Sequence, residues 1–94
     1  MGLLDEKVCL VTGASRGIGA ATVEKLAKEG AIVYANSRQP NNIDKICTEL
    51  SEKYNTKVKP IYFDVREESS SKKALLQIRK EEKKLDVLVN NAGI

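Results

Sequence analysis

The residues with the clearest chemistry are three glycines in the run TGASRGIGAA: Gly13, Gly17 and Gly19. They follow an apolar run of strand length and open a stretch of helical periodicity. In that setting each glycine has a physical task. Gly13 can turn the chain sharply off the strand, Gly17 leaves no Cβ in the way of a pyrophosphate, and Gly19 lets the helix pack closely on the sheet. A helix start also carries amide N–H groups with no intrahelical acceptor, and these suit an anion. The expected binding loop is therefore Gly13, Ala14, Ser15, Arg16, Gly17, Ile18 and Gly19, and the ligand class is a phosphate-bearing nucleotide. The plainer reading is a glycine-rich turn with no ligand, but the setting between strand and helix is the one a nucleotide loop requires.

The second strand ends in NSR, Asn36 to Arg38. In a dinucleotide site, an Asp or Glu about 20 residues past the glycines binds the ribose 2′-hydroxyl of NAD. No carboxylate stands at this strand end, and Asp44 already belongs to the next helix. Arg38 instead offers a planar donor fork that can meet a 2′-phosphate, and Arg16 in the loop is placed to reach the same group. Two arginines and no acid favour NADP (NADPH) over NAD.

The elements that must hold these residues alternate. Residues 7–12 form a continuous apolar run, which suggests a strand covered on both faces. Residues 17–29 read as a helix with Ala20, Val23, Leu26 and Ala27 on one face and Glu24 paired with Lys28 on the other, and Gly30 closes it. A second strand covers 31–35. Asn41 or Asn42 is a plausible N-cap for a helix whose stripe is Ile43, Ile46, Cys47 and Leu50. A third strand, 58–65, contains Pro60, which has no N–H for a sheet ladder, so this strand belongs at an edge. A polar helix over 67–83 turns Leu75 and Ile78 inward, and a fourth strand covers 85–90. The pattern implies an α/β fold with crossover connections and a parallel sheet of four strands, order 3-2-1-4, the first half of a doubly wound nucleotide-binding sheet. The fourth strand is then an open edge with one uncovered apolar face.

The loop resembles the TGxxxGxG loop of the short-chain dehydrogenase/reductase family. FDV at 63–65 is similar to the family's Asp-Val after the third strand, and NNAG at 90–93 to the motif closing the fourth. The look is closest to 3-oxoacyl-acyl-carrier-protein reductases. The resemblance covers essentially the whole chain and implies the N-terminal half of a Rossmann fold. It also implies that the Asp64 carboxylate, beside Val65, accepts from the adenine amino group. Asn91, Ala92 and Gly93 would lie over the strand ends near the nicotinamide ribose, with Asn91 also tying strand ends together. Basic residues at positions 16 and 38 go with NADP in this family.

Family chemistry is hydride transfer between nicotinamide and a carbonyl or alcohol carbon. It needs a Tyr and a Lys four apart on a helix, with a Ser for the substrate oxygen; the nearby ammonium lowers the phenol pKa. Here Tyr34 is followed four on by Arg38, Tyr54 by Val58 and Tyr62 by Arg66, so no YxxxK pair is present. No catalytic residue is therefore expected in 1–94, which reads as one cofactor-binding half-domain. The expected activity is NADP-dependent carbonyl reduction or alcohol oxidation on a small-molecule substrate, with this chain by itself inactive. A non-catalytic NADP-binding module that associates with another chain is the second reading. Full-length members of the family are expected to be homo-oligomers.

Composition is compatible with this. The chain has 94 residues, 41% hydrophobic and 31% charged, with net charge +3. That size permits at most one small domain, and the mildly basic balance suits a small anionic ligand better than nucleic acid. Cys9 and Cys47 sit in apolar surroundings and read as reduced core thiols, and with no His in the chain no metal site is expected. No apolar run approaches the roughly 18 residues of a membrane span, and the opening MGLLDEK lacks a signal-peptide core, so the expected location is cytoplasmic.

Overall fold

The computed structural model describes residues 2–14, 17–40 and 43–91. Strands and helices alternate as β1 (Val8–Val11), α1 (Gly17–Lys28), β2 (Ile32–Ser37), α2 (Ile43–Tyr54), β3 (Val58–Tyr62), α3 (Glu68–Glu82) and β4 (Val87–Val89). The four strands pair in parallel in the order β3-β2-β1-β4, as the sequence pattern predicts. Pro60 lies opposite Ala35 on the edge strand, where its missing N–H removes nothing from the ladder's other side. The expected N-caps, Asn41 and Asn42, lie outside the described residues.

Every residue of β1 is buried, as befits a strand covered on both faces. Alternation sends Cys9 and Val11 to the face covered by α1 and α2, together with Val33, Ala35 and Val58. Val8, Leu10 and Tyr34 point to the opposite face, where Ala74 and Ile78 of α3 meet them. Leu75 and Ile78 both face the core as expected, Leu75 only half-buried, and Ala74, four residues before Ile78 on the same helix face, joins them as a buried contact. Ala at the closest point lets the helix backbone approach the sheet.

The helix ends follow from local chemistry. Gly30 has φ 91°, its N–H donates to the Ala27 carbonyl at 3.0 Å, and the Ala31 N–H donates to Leu26 at 3.1 Å. This pair of bonds is the Schellman arrangement, and the left-handed φ explains the glycine. Glu24 does not pair with Lys28 as its spacing suggests. Its carboxylate accepts from the Tyr54 hydroxyl at 2.8 Å and from Lys53 at 3.3 Å, both on α2. A neighbouring helix offers two donors, against a same-helix pair worth only a few tenths of a kcal/mol, roughly 0.2–0.5.

The last strand is short. Asp86 precedes it and accepts the Val8 N–H at 2.8 Å, which fixes the start of its pairing with β1. Leu88 points away from α1 and α2 and remains 55% exposed. Among the described residues no helix is long and apolar enough to cross a membrane.

Candidate functional site

Because all four strands run parallel, their carboxyl ends and the loops that follow lie along one edge. The loop after β1 is held there by side chains that the sequence reading did not single out. Asn36, 2% exposed at the end of β2, accepts the Gly13 N–H at Oδ1 (3.2 Å), and its carbonyl accepts the Ala14 N–H at 2.8 Å. Its Nδ2 lies 3.1 Å from the Phe63 carbonyl and 3.3 Å from that of Ile61. One amide thus ties β1, β2 and β3 together at the point where the glycine turn leaves the sheet. The signal was present: a buried polar residue in an otherwise apolar strand must find partners.

Thr12 does the same between β1 and β4. Its hydroxyl accepts the Asn91 N–H at 2.8 Å and has Asn90 Oδ1 (3.2 Å) and the Val89 carbonyl (3.4 Å) as acceptors for its own proton. Asn91 Nδ2 reaches the Gly13 carbonyl at 3.5 Å, so Asn91 links the end of β4 to the glycine turn. Ala92 and Gly93 lie outside the described residues, as do Ser15 and Arg16.

Gly13 and Gly17 have φ of 59° and 63°, in the left-handed region that glycine enters without strain. Beyond its chain neighbours and its own helix, a Cβ on Gly17 would meet no atom of the described residues within 4 Å. Gly19 is the opposite case. A Cβ there would sit 2.2 Å from the Gly13 carbonyl oxygen, 2.8 Å from Asn91 Nδ2 and 3.0 Å from the Ala14 Cα. The close packing expected of Gly19 is therefore against the turn and the end of β4 rather than against the strands. Ile18, next to it, is 72% exposed. The first turn of α1 has no acidic residue to compete with an anion.

Arg38 is exposed just beyond β2, after Ser37 bends the chain by donating its hydroxyl to the Gln39 carbonyl at 2.8 Å. Asp64 follows β3. Arg66 donates to it through Nε, Nη2 and the backbone N–H, at 3.0, 2.8 and 2.9 Å. These bonds, with smaller help from the charge of Arg38, lower the Asp64 carboxyl to about 2. Val65 packs at the margin of the α3 face. It lines a groove of about 150 Å³ with Leu10, Phe63, Leu75 and Leu88, next to Thr12 and Asn90. The structure thus brings Gly13, Ala14, Gly19 and Asn91 into contact, leaves Gly17 and Ile18 open, and couples Arg38 to Asp64 electrostatically. The two buried thiols are elsewhere, and burial pushes Cys9 and Cys47 up to about 11.

A parallel sheet in this order, with a glycine turn leading into the helix after its first strand, defines the nucleotide-binding class of doubly wound folds. More narrowly, the family model for short chain dehydrogenases matches residues 7–94, and the chain belongs to that family. It is 43% identical to a 7alpha-hydroxysteroid dehydrogenase of Paraclostridium sordellii, over 99% of this chain and 34% of that protein. It is 41% identical to a 3-oxoacyl-[acyl-carrier-protein] reductase of Thermotoga maritima, over 97% of this chain and 37% of that one. The crystal structure of L-sorbose reductase from Gluconobacter frateurii, complexed with NADPH and L-sorbose, superposes with a TM-score of 0.90 at 35% identity. That match covers 100% of this chain and 35% of the other. The chain spans about a third of the length of these relatives.

Proposed function

We propose that this chain is the cofactor-binding part of an NADP-dependent oxidoreductase, acting in hydride transfer on a small carbonyl or alcohol substrate. The observation that carries the reading is the end of β2. Arg38 is exposed there, and no carboxylate stands between Val33 and Arg38 to receive a ribose 2′-hydroxyl. A guanidinium at that place recognises a 2′-phosphate and gains nothing from a free hydroxyl. The similarity to a reductase solved with NADPH supports the same choice.

The residues fit a dinucleotide. Gly17 presents backbone without a Cβ, Gly19 draws the helix start onto the turn, and Asn36 and Asn91 hold the turn in shape. In this reading the loop from Gly13 to Gly19, including Ala14, Ser15, Arg16 and Ile18, receives the pyrophosphate. Arg38 receives the 2′-phosphate, Asp64 and Val65 the adenine, and Asn91, Ala92 and Gly93 the nicotinamide end. The bound nicotinamide would supply the hydride. The residues of this chain bind and orient it, since none of the three tyrosines has a Lys four residues on.

Arg38→Asp tests the reading. Titration of NADPH and NADH against nicotinamide fluorescence is expected to show NADPH binding weakened by about tenfold or more, the loss of one charge-assisted contact. NADH binding is expected to hold or improve. Equal losses for the two cofactors would overturn the NADP assignment.

A further inference from the structure

One buried amide stands between two loops to which the cofactor reading gives different parts of one ligand. The turn after β1 would take the pyrophosphate, and the corner after β3 the base. Asn36 touches both. Its Oδ1 accepts the Gly13 N–H at 3.2 Å. Its Nδ2 faces three carbonyls, that of Phe63 at 3.1 Å and those of Ile61 and Ser37 at 3.3 Å. Phe63 is the residue immediately before Asp64. The partners fix which way the amide points, because an N–H on one side and carbonyls on the other leave no acceptable flip.

The same partners restrict the residue type. Leu has the outline of Asn and no polar atom, an ionised Asp accepts without donating, and a Thr hydroxyl is one oxygen where Asn has two separate polar ends. Docking each loop onto β2 does not by itself require the side chain. The Ala14 N–H already donates to the Asn36 carbonyl at 2.8 Å, and the Phe63 N–H to the Ser37 carbonyl at 3.2 Å. What the amide adds is a direct connection from one loop to the other. We infer that Asn36 is a positioning residue for the cofactor: it sets the spacing between the glycine turn and the corner after β3, so that a ligand reaching both finds them in register. The inference rests on the cofactor reading above and adds to it the residue that makes the two ends of that site one unit. A ligand confined to one loop does not need the spacing. One that spans both loses affinity when the spacing has to be ordered on binding.

The test compares NADPH, which in this reading spans both loops, with adenosine 2′-phosphate, which reaches the corner and Arg38 but has no pyrophosphate for the turn. Both are titrated by calorimetry against the unsubstituted chain, Asn36→Leu and Asn36→Thr. Asn36→Leu should weaken NADPH about tenfold more than adenosine 2′-phosphate, and Asn36→Thr about threefold more. A role confined to stability would lower the folded fraction and so weaken both ligands by one common factor. That result, or a larger loss for adenosine 2′-phosphate, overturns the inference and leaves the cofactor reading in place. Should neither variant fold, amide hydrogen exchange on the unsubstituted chain decides. Saturation with adenosine 2′-phosphate should slow exchange at Gly13, which that ligand does not reach, by about threefold or more. Unchanged exchange at Gly13 overturns the inference. Failure of the unsubstituted chain to bind either ligand removes the cofactor reading and this inference with it.

Discussion

The two faces of the sheet are built by different means. On one, α1 and α2 bring Val23, Ala27, Ile43, Cys47 and Leu50 down onto small and β-branched residues of the sheet side: Cys9, Val11, Ala31, Val33, Ala35 and Val58. On the other, α3 lays Ala74 and Ile78 over the sheet-side residues Val8, Leu10, Tyr34, Ile61 and Phe63, several of them large. Small residues allow close approach and leave no room for more volume. Large ones under a single helix leave the flank toward β4 uncovered, and there the groove opens beside Leu88. The close face also adjoins the glycine turn, whose shape depends on Gly19 fitting against Gly13 and Asn91. Tight packing thus coincides with the glycine turn, the loop proposed above to receive the cofactor.

The largest effect should come from the side with one helix. Ile78 is fully buried and, with Ala74, makes the inward face of α3. Ile78→Ala should cost about 3 kcal/mol, the usual size for such a core truncation. Urea denaturation measures it, and a loss below about 1 kcal/mol would mean that α3 is not held by this contact.

Enlargement should sort the faces in the reverse sense. Ala27 is fully buried between α1 and the sheet. Ala27→Leu should destabilise by about 2 kcal/mol through overpacking. Ser71 lies on α3 at the groove, where added apolar volume has space. Ser71→Leu should stay within about 0.5 kcal/mol of the original chain. Similar losses at the two sites in denaturant titrations would show that the groove closes in solution and that the faces are equally tight.

How much of this was legible in the sequence depends on the range of the cause. Pro60 placed β3 at an edge because a missing N–H acts within its own strand. The glycine run placed the turn because backbone freedom is local. The roles of Asn36, Thr12 and Arg66 were not legible, because each depends on partners brought in by other strands or by the turn of one loop. The polar letters in YANS and DVR were visible, but not what they bind. Glu24 shows the limit from the other side. Its spacing to Lys28 obeys the helix rule, and α2 supplies better partners.

A loss smaller than those at Ile78 and Ala27 concerns how the end of α3 is fastened. Tyr34, 1% exposed, has one hydroxyl proton between two carboxylates, Glu81 at 2.8 Å and Glu82 at 2.6 Å. Lys57 reaches Glu82 at 2.7 Å, and Lys59 reaches Glu81 at 3.4 Å. Burial and the two glutamates raise the Tyr34 phenol, so it remains a donor throughout the neutral range. The Tyr34 bond lowers Glu81. Burial pushes Glu82 up, but Lys57 and Tyr34 outweigh it and leave it below the ordinary 4.5. Tyr34→Phe should cost about 1 kcal/mol at pH 7, one net hydrogen bond. Carboxyls lowered on folding stabilise above their unfolded value, and that contribution disappears as pH falls through the lower folded value. The gap between the chain and Tyr34→Phe should therefore be full above about pH 5 and narrow below 4.5, the ordinary glutamate value. Urea midpoints of both proteins between pH 3 and 7 decide the point. A gap independent of pH would show that the hydroxyl contributes equally whether or not the two glutamates are ionised, since Phe keeps the ring and its packing, and the charge of Glu81 and Glu82 would then add nothing to how α3 is fastened.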